Sequence, residues 1–427
     1  MQTSLQFVLN GLRAQDVRTP ASAEEATADL AQAASESRTV VPWGGGTHQR
    51  LGAPPQGDFT ALSTAKLNKL LEHSPADLTA TVEAGMTLGN LQQVLATNGQ
   101  MVALDAPLSH RATIGGILAT ADSGPRRLGY GQARDQVIGI KVAHTDGRVT
   151  KAGGKVVKNV SGYDMMKLYV GSLGTLGVIV EATFRLYPLP ATTRTVLAPC
   201  GSFEDAMNLC HAVRRARLQP LALDVLSQRT QQAVRDAQTE RPAPWLVAAE
   251  FGGGAALVTR QVTEVNILAE GVSTTISTVE GQTSLSFWQQ VRDFGCEPGH
   301  AWLTLQAAVL PGRLPLAETA LKQQITEAGA PPPALIARAG SGLLYAFWSP
   351  PDVATSAPET WLNAVQQLRR ECVVLGGSLV IESCPDSLWS TLDPWGEPPV
   401  TLPIMRRLKE LFDPSGVLNP GRYVGGL

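Results

Sequence analysis

The 427-residue chain has 44% apolar and 17% charged residues, the composition of a folded globular protein long enough for two or three domains. A formal charge of −2 and the lack of a dominant basic stripe argue against nucleic acid as the main partner; Arg126-Arg127 and the 214–217 cluster read as solvated helix faces. No apolar run is long enough to span a membrane and no secretory leader is visible, while five scattered cysteines without a Cys-x-x-Cys pair predict free thiols in a reduced, cytoplasmic protein.

Helical propensity over residues 23–37 precedes a short apolar strand at 39–41. That strand delivers Pro42-Trp43-Gly44-Gly45-Gly46-Thr47. Alternation over 79–83 predicts a second strand. Thr87 then starts a helix through Leu88, Leu91, Val94 and Leu95 that stops at Asn98-Gly99. A second glycine turn follows, Thr113-Ile114-Gly115-Gly116. Residues 137–143 read as a strand, and Asp146-Gly147 turns the chain back into Val149. Residues 168–170 lead through the glycine-rich 171–177 into a strong strand at 178–186. Tyr187-Pro188-Leu189-Pro190 marks a domain boundary. Beyond it, helical and strand-like pieces alternate, among them the apolar run 245–251 before three glycines. A basic amphipathic helix at 402–411 ends at Phe412-Asp413-Pro414, ahead of the turn-rich Asn419-Pro420-Gly421-Arg422.

The two glycine turns carry the chemistry. Adjacent glycines let the backbone take up positive φ and approach a ligand with no Cβ in the way, and successive N–H groups then form a concave anion nest. Thr113 is placed to cap a helix that Gly115 and Gly116 begin, so that its free N–H groups and dipole face negative charge. Together the turns predict one elongated diphosphate held from two sides; singly, each reads equally as an ordinary tight turn. A nicotinamide-type Gly-x-Gly-x-x-Gly fingerprint fails here, because from Gly44 its third glycine would fall at Gln49.

Taken in order, residues 42–47, Thr113 to Gly116, 158–164, 171–179 and 412–422 resemble the vanillyl-alcohol-oxidase-type (PCMH-type) FAD-binding domain. The likeness runs from about residue 18 to 190 and returns in the last 25 or so residues. Within that group the wording is most similar to the FAD-binding E subunits of bacterial glycolate oxidases (glycolate dehydrogenases). The resemblance implies an α+β chain with a two-subdomain PCMH-type FAD-binding domain at 1–190. It further implies a second α+β domain, an antiparallel sheet with helices serving as a substrate, cap or partner-binding domain, at 191–400. Residues 401–427 would return to the first domain.

The resemblance also implies site roles. Gly44, Gly45, Gly46 and Thr47 would cradle the FAD pyrophosphate, and Thr113, Gly115 and Gly116 would meet it from the opposite side. Pro42, Trp43 and Pro107 would also belong to the cofactor-binding set. Ser123 and Gly124 would lie along the flavin, and the backbone at Gly177, Val178 and Ile179 would pair with adenine. Asn419 and Arg422 would return to the ring end, where a cation stabilises reduced flavin; alone, Arg422 reads equally as a surface arginine.

Departures from the family pattern bear on catalysis. Relatives that oxidise 2-hydroxy acids carry His-Gly-x-Gly-Asp-Gly-Asn, and none of the six histidines here sits in such a context. No metal cluster is expected, and the usual base is missing. The family's asparagine near the second turn is Ala121. The slot of a histidyl-FAD link holds Thr47, so the FAD is expected to be non-covalent, with His48 capping the turn or facing solvent. His110 is the weak catalytic candidate, weighed against a plain hydrogen-bonding role. Arg338 and Glu382 would bind a carboxylate or, the safer reading, form an ion pair.

The function implied is an FAD-binding subunit of a glycolate oxidase complex that takes part in electron transfer as glycolate becomes glyoxylate. Its partners would be a homologous flavoprotein and an iron–sulfur subunit, with a small 2-hydroxy acid as substrate. The complex would be cytoplasmic, with peripheral association at the inner face of a membrane open. The alternatives are a self-sufficient D-lactate or glycolate dehydrogenase and a non-catalytic flavoprotein scaffold.

Overall fold

A computed structural model describes residues 7–154, 163–234, 243–296 and 302–427. The stretch 155–162, which holds most of the 158–164 motif, lies outside the described residues, as does His300. The chain divides into two compact units. One comprises Met1–Gly124, Gly131–Leu189 and Glu397–Leu427; the other comprises Pro125–Tyr130 and Pro190–Gly396.

Two larger sheets organise the first unit, beside two short two-stranded ladders. Strands β1 (Asp16–Arg18), β2 (Val40–Trp43) and β3 (Thr60–Ser63) form a parallel sheet in the order β1-β3-β2. Helix α1 (Ala23–Ser35) starts where the Ser22 hydroxyl accepts from the Glu25 amide at 3.1 Å. Its Ala26, Leu30 and Ala33, spaced on one face, are buried against Val40, Leu62, Val178 and Val180. The expected strand at 39–41 runs on through Pro42 and Trp43.

The second sheet is antiparallel. It contains β4 (Leu70–Ser74), β5 (Thr79–Glu83), β6 (Val137–Ala143), β7 (Val149–Gly153) and β8 (Val178–Arg185), in the order β7-β6-β8-β5-β4. Helix α2 (Leu88–Ala96), capped by Thr87, buries Leu88, Leu91 and Leu95. Helix α3 (Ile114–Thr120) buries Ile114, Ile117 and Leu118 in the same core. The C-terminal helix, Leu402–Phe412, precedes a segment that returns to β2: Val40 donates to the Val417 carbonyl at 2.8 Å and accepts from Asn419 at 2.9 Å.

The second unit is built on an eight-stranded sheet with every pairing antiparallel. Helices Phe203–Arg215, Ala255–Glu270, Leu314–Glu327 and Pro358–Val374 contribute to the large core on one face. Helix Gly281–Asp293 packs Phe287, Trp288 and Val291 into the core of the other face. Arg126, on the short 125–130 segment, reaches Glu250 with two nitrogens at 2.7 and 2.8 Å, which explains why that segment belongs to this unit. The architecture is mixed α+β.

Candidate functional site

The first glycine turn leaves β2 with its strand end fixed. Trp43 is buried edge-on against Phe7, with ring centroids 5.2 Å apart. From there the chain makes a turn whose amides at Gly44, Gly45, Gly46 and Thr47 donate to no group among the described residues. Four successive uncommitted donors are an anion nest in the physical sense. Only Gly46 has positive φ, at 70°. Gly44 and Gly45 are glycine for another reason: a Cβ on Gly44 would overlap the Thr113 hydroxyl, and one on Gly45 the Arg111 carbonyl. The expectation of positive φ through all three glycines is therefore corrected; two of them are required by the close approach of the second turn.

That second turn behaves differently from its sequence reading. Thr113 caps α3 as expected, its hydroxyl accepting from Gly116 at 3.3 Å. The helix has no free N-terminal amides to offer, however. Ile114 donates to Met86 at 2.9 Å, Gly115 to Ala84 at 2.7 Å and Ile117 to Thr113 at 2.9 Å. Gly115 is glycine because a Cβ there would press on Ala84 Cβ at 2.8 Å. At Gly116 a Cβ would meet Thr113 Oγ1 at 3.1 Å, a tight contact that a small shift of the hydroxyl would relieve. The second turn supplies a smooth wall, and the donors come from the first.

Two further segments complete the cleft. The β5 ladder joins β8 only from Glu181 onward, so Val178 and Ile179 keep one backbone edge outside it. Gly177 precedes them at φ 152°, where a Cβ would meet Val142 Cγ1 at 2.5 Å. Asn419, buried with φ 45°, accepts from Arg422 at 3.3 Å and donates to the Leu173 carbonyl. Arg422 is 3% exposed, which removes the surface reading. Its guanidinium donates to the carbonyls of Gln49, Leu51 and Ala53 at 2.6, 3.0 and 3.0 Å. Burial pushes it down to about 10, still cationic at neutral pH. Arg422 thus staples the loop behind the nest, a role the sequence did not reveal.

These residues line one open cleft. Pro42, Trp43, Gly44, Gly45, Gly46, Thr47, Thr113, Gly115, Gly116, Gly177, Val178, Ile179, Asn419 and Arg422 all border it. Pro107, Ser123, Gly124 and His110 do not. Pro107 and Gly124 are buried, and a Cβ on Gly124 would overlap the Asp105 carbonyl. His110 is exposed, its backbone lying beside Gly89. His48 also borders the cleft, as does Asp122, which the sequence reading did not single out: His48 Nδ1 lies 3.0 Å from Asp122 Oδ2, so His48 does not simply face solvent. In the second unit, Arg338 stacks over Tyr345 at 5.0 Å and Glu382 accepts from Gln306 at 2.8 Å. Among the described residues, no group of three or more His, Cys, Asp or Glu side chains could hold a metal ion.

Comparison with known proteins places this geometry. Residues 14–153 match the FAD binding domain family, and residues 189–382 and 394–423 match the C-terminal domain of FAD linked oxidases. The chain belongs to the FAD-linked oxidases. The four uncommitted amides and the Cβ-free wall fit the diphosphate of FAD, which supplies two-electron redox chemistry when bound. The chain is 38% identical over 210 residues to a D-lactate dehydrogenase of Archaeoglobus fulgidus, covering 49% of this chain and 47%, about half, of that protein. It is 28% identical to glycolate oxidase subunit GlcD of Bacillus subtilis, covering 91% of this chain and 84% of the other. Against glycolate oxidase subunit GlcE of Escherichia coli the identity is also 28%, over 93% and 95%. The fold matches an alkyldihydroxyacetonephosphate synthase (TM-score 0.73, 20% identity, 96% and 78% covered) and p-cresol methylhydroxylase (0.71, 17%, 95% and 88%). This FAD-linked oxidase therefore has the PCMH-type fold. Among the described residues no helix is long and apolar enough to cross a membrane.

Proposed function

We propose that this FAD-linked oxidase acts on 2-hydroxy acids as the FAD-binding subunit of a glycolate oxidase complex. The observation that carries the reading is the nest at Gly44–Thr47 set against the wall of α3, a diphosphate cradle kept intact in a chain lacking the His-Gly-x-Gly-Asp-Gly-Asn motif. An intact cradle argues for a working cofactor, and the missing motif argues for a partner that supplies the base. Full-length similarity to GlcD and GlcE supports this division of labour. The partners would be a homologous flavoprotein and an iron–sulfur subunit. The FAD is held without a covalent bond, because Thr47 takes the linking slot and His48 is engaged by Asp122.

A second reading is a self-sufficient dehydrogenase, favoured by the higher identity to the D-lactate dehydrogenase over half of its length. Anaerobic addition of glycolate or D-lactate to the purified yellow protein separates the two. The subunit reading predicts bleaching only after the partner chains are added; bleaching of the chain alone overturns it in favour of the second.

A further inference from the structure

We propose that Arg111 is a positioning residue for the FAD diphosphate, holding the first glycine turn in its donating form and placing a cation behind it. The proposal rests on FAD occupying the cleft. Successive amides form a nest only while their peptide planes are held, and glycine, with the widest choice of φ and ψ, does not hold them by itself. The turn is gripped at its middle residue. Arg111 Nη2 donates to the Gly45 carbonyl at 3.3 Å. The Arg111 carbonyl lies so close to Gly45 that a Cβ there would overlap it. One residue thus fixes Gly45 with both its side chain and its main chain, across 66 positions of sequence.

Arg111 can anchor the turn because its own backbone is fixed. Leu108 takes the left-handed conformation at φ 51°, and its carbonyl accepts from the amides of Arg111 and Ala112, each at 2.8 Å. Ser109 accepts from Gly89 at 2.8 Å and Ala112 from Leu88 at 2.9 Å, so this loop is tied to the start of α2. Peptide geometry carries the effect into the nest. Every peptide bond among the described residues is trans, and in a trans peptide the N–H points opposite to the C=O. Turning the Gly45 carbonyl toward Arg111 therefore turns the Gly46 N–H away from it. Gly46 borders the cleft and Arg111 does not. The half-buried guanidinium also polarises that peptide, which strengthens its N–H as a donor, and it adds positive charge behind the anion site.

The test is FAD binding by the full-length chain freed of cofactor, read by quenching of flavin fluorescence at low and at high salt. Wild type, Arg111→Lys and Arg111→Met are compared, with the thermal transition of each recorded beside the affinity. Arg111→Met fills much of the same space without donor or charge. It should bind FAD about tenfold more weakly at low salt, the weight of one charge-assisted hydrogen bond. Its affinity should also depend less on salt than that of wild type, because the screened cation is gone. Arg111→Lys keeps a donor and a charge at a contact that is not bidentate, and should restore both affinity and salt dependence. A methionine variant that binds FAD as wild type does would overturn the proposal. So would a lysine variant as weak as methionine and with the same shallow salt dependence, since Arg111 would then be a structural contact only. A wild-type chain that takes up no FAD would instead overturn the cleft assignment on which the proposal rests.

Discussion

The hydroxyl of Thr113 occupies the space that a β-carbon on Gly44 would need. The two glycine turns are therefore one structure, in which the second turn dictates the residue type of the first. Gly44→Ala should destabilise the first unit by about 1–3 kcal/mol, the usual cost of overpacking, and lose FAD. A thermal denaturation midpoint equal to wild type would show that the turns are not in contact.

A largely enclosed lysine helps to hold the C-terminal segment. Lys409 Nζ reaches Asp413 Oδ2 at 2.6 Å and the carbonyls of Leu418 and Thr175 at 2.7 and 2.9 Å. Asp413 in turn accepts from Val417 and Leu418. Lys409→Met would leave a buried carboxylate without its cation, a loss expected to cost about 3–5 kcal/mol. The double variant Lys409→Met/Asp413→Asn should recover part of it. Chemical denaturation of the three proteins checks both statements, and additive losses would contradict the pairing.

Ala121 closes α3 at φ 55°, a conformation that alanine adopts at a cost. Ala121→Gly should raise stability by about 1 kcal/mol, and Ala121→Asn should do so to a smaller extent, since both residue types tolerate the left-handed region. Differential scanning calorimetry decides it; a lower midpoint for the glycine variant would mean the left-handed cap is wrong.

Stability should fall in mild acid. His144 is buried beside Thr150 at 2.7 Å, and desolvation lowers its affinity for protons below the ordinary 6.5 despite the attraction of Asp146. The unfolded chain takes up the proton first as pH falls, so stability is present above pH 6.5 and is lost as pH drops toward the folded value. His211 is shifted the same way by its own burial. His144→Gln should flatten the pH dependence of the melting temperature between about pH 5 and pH 7 without abolishing it. A slope as steep as wild type would remove His144 from the account.

The sequence shows what is local and misses what is distant. Glycine runs, the Thr113 cap and the strand patterns at 79–83, 137–143 and 178–186 are short-range signals, and each leads to an element of the first unit. The donors at the α3 terminus were misread because Ala84 and Met86, which consume them, carry no mark in the sequence. Arg422 looked like a ring-end cation or a surface residue because its acceptors are backbone carbonyls some 370 positions away. His48–Asp122 and Lys409–Thr175 were invisible for the same reason. Only folding brings those groups together, and no periodicity encodes them.

The central claim is that the nest at Gly44–Thr47 and the wall at Gly116 hold the diphosphate of FAD. Gly116 is the cleanest probe, because it borders the cleft and a Cβ there would have the Thr113 hydroxyl, at 3.1 Å, as its close neighbour outside the helix backbone. The decisive measurement is the flavin content of purified Gly116→Val beside wild type, with circular dichroism confirming the fold of both. The account predicts one FAD per chain in wild type, and a folded variant whose FAD affinity is lower by at least about tenfold, or ~1.4 kcal/mol. A folded Gly116→Val protein that retains its full complement of FAD would contradict it.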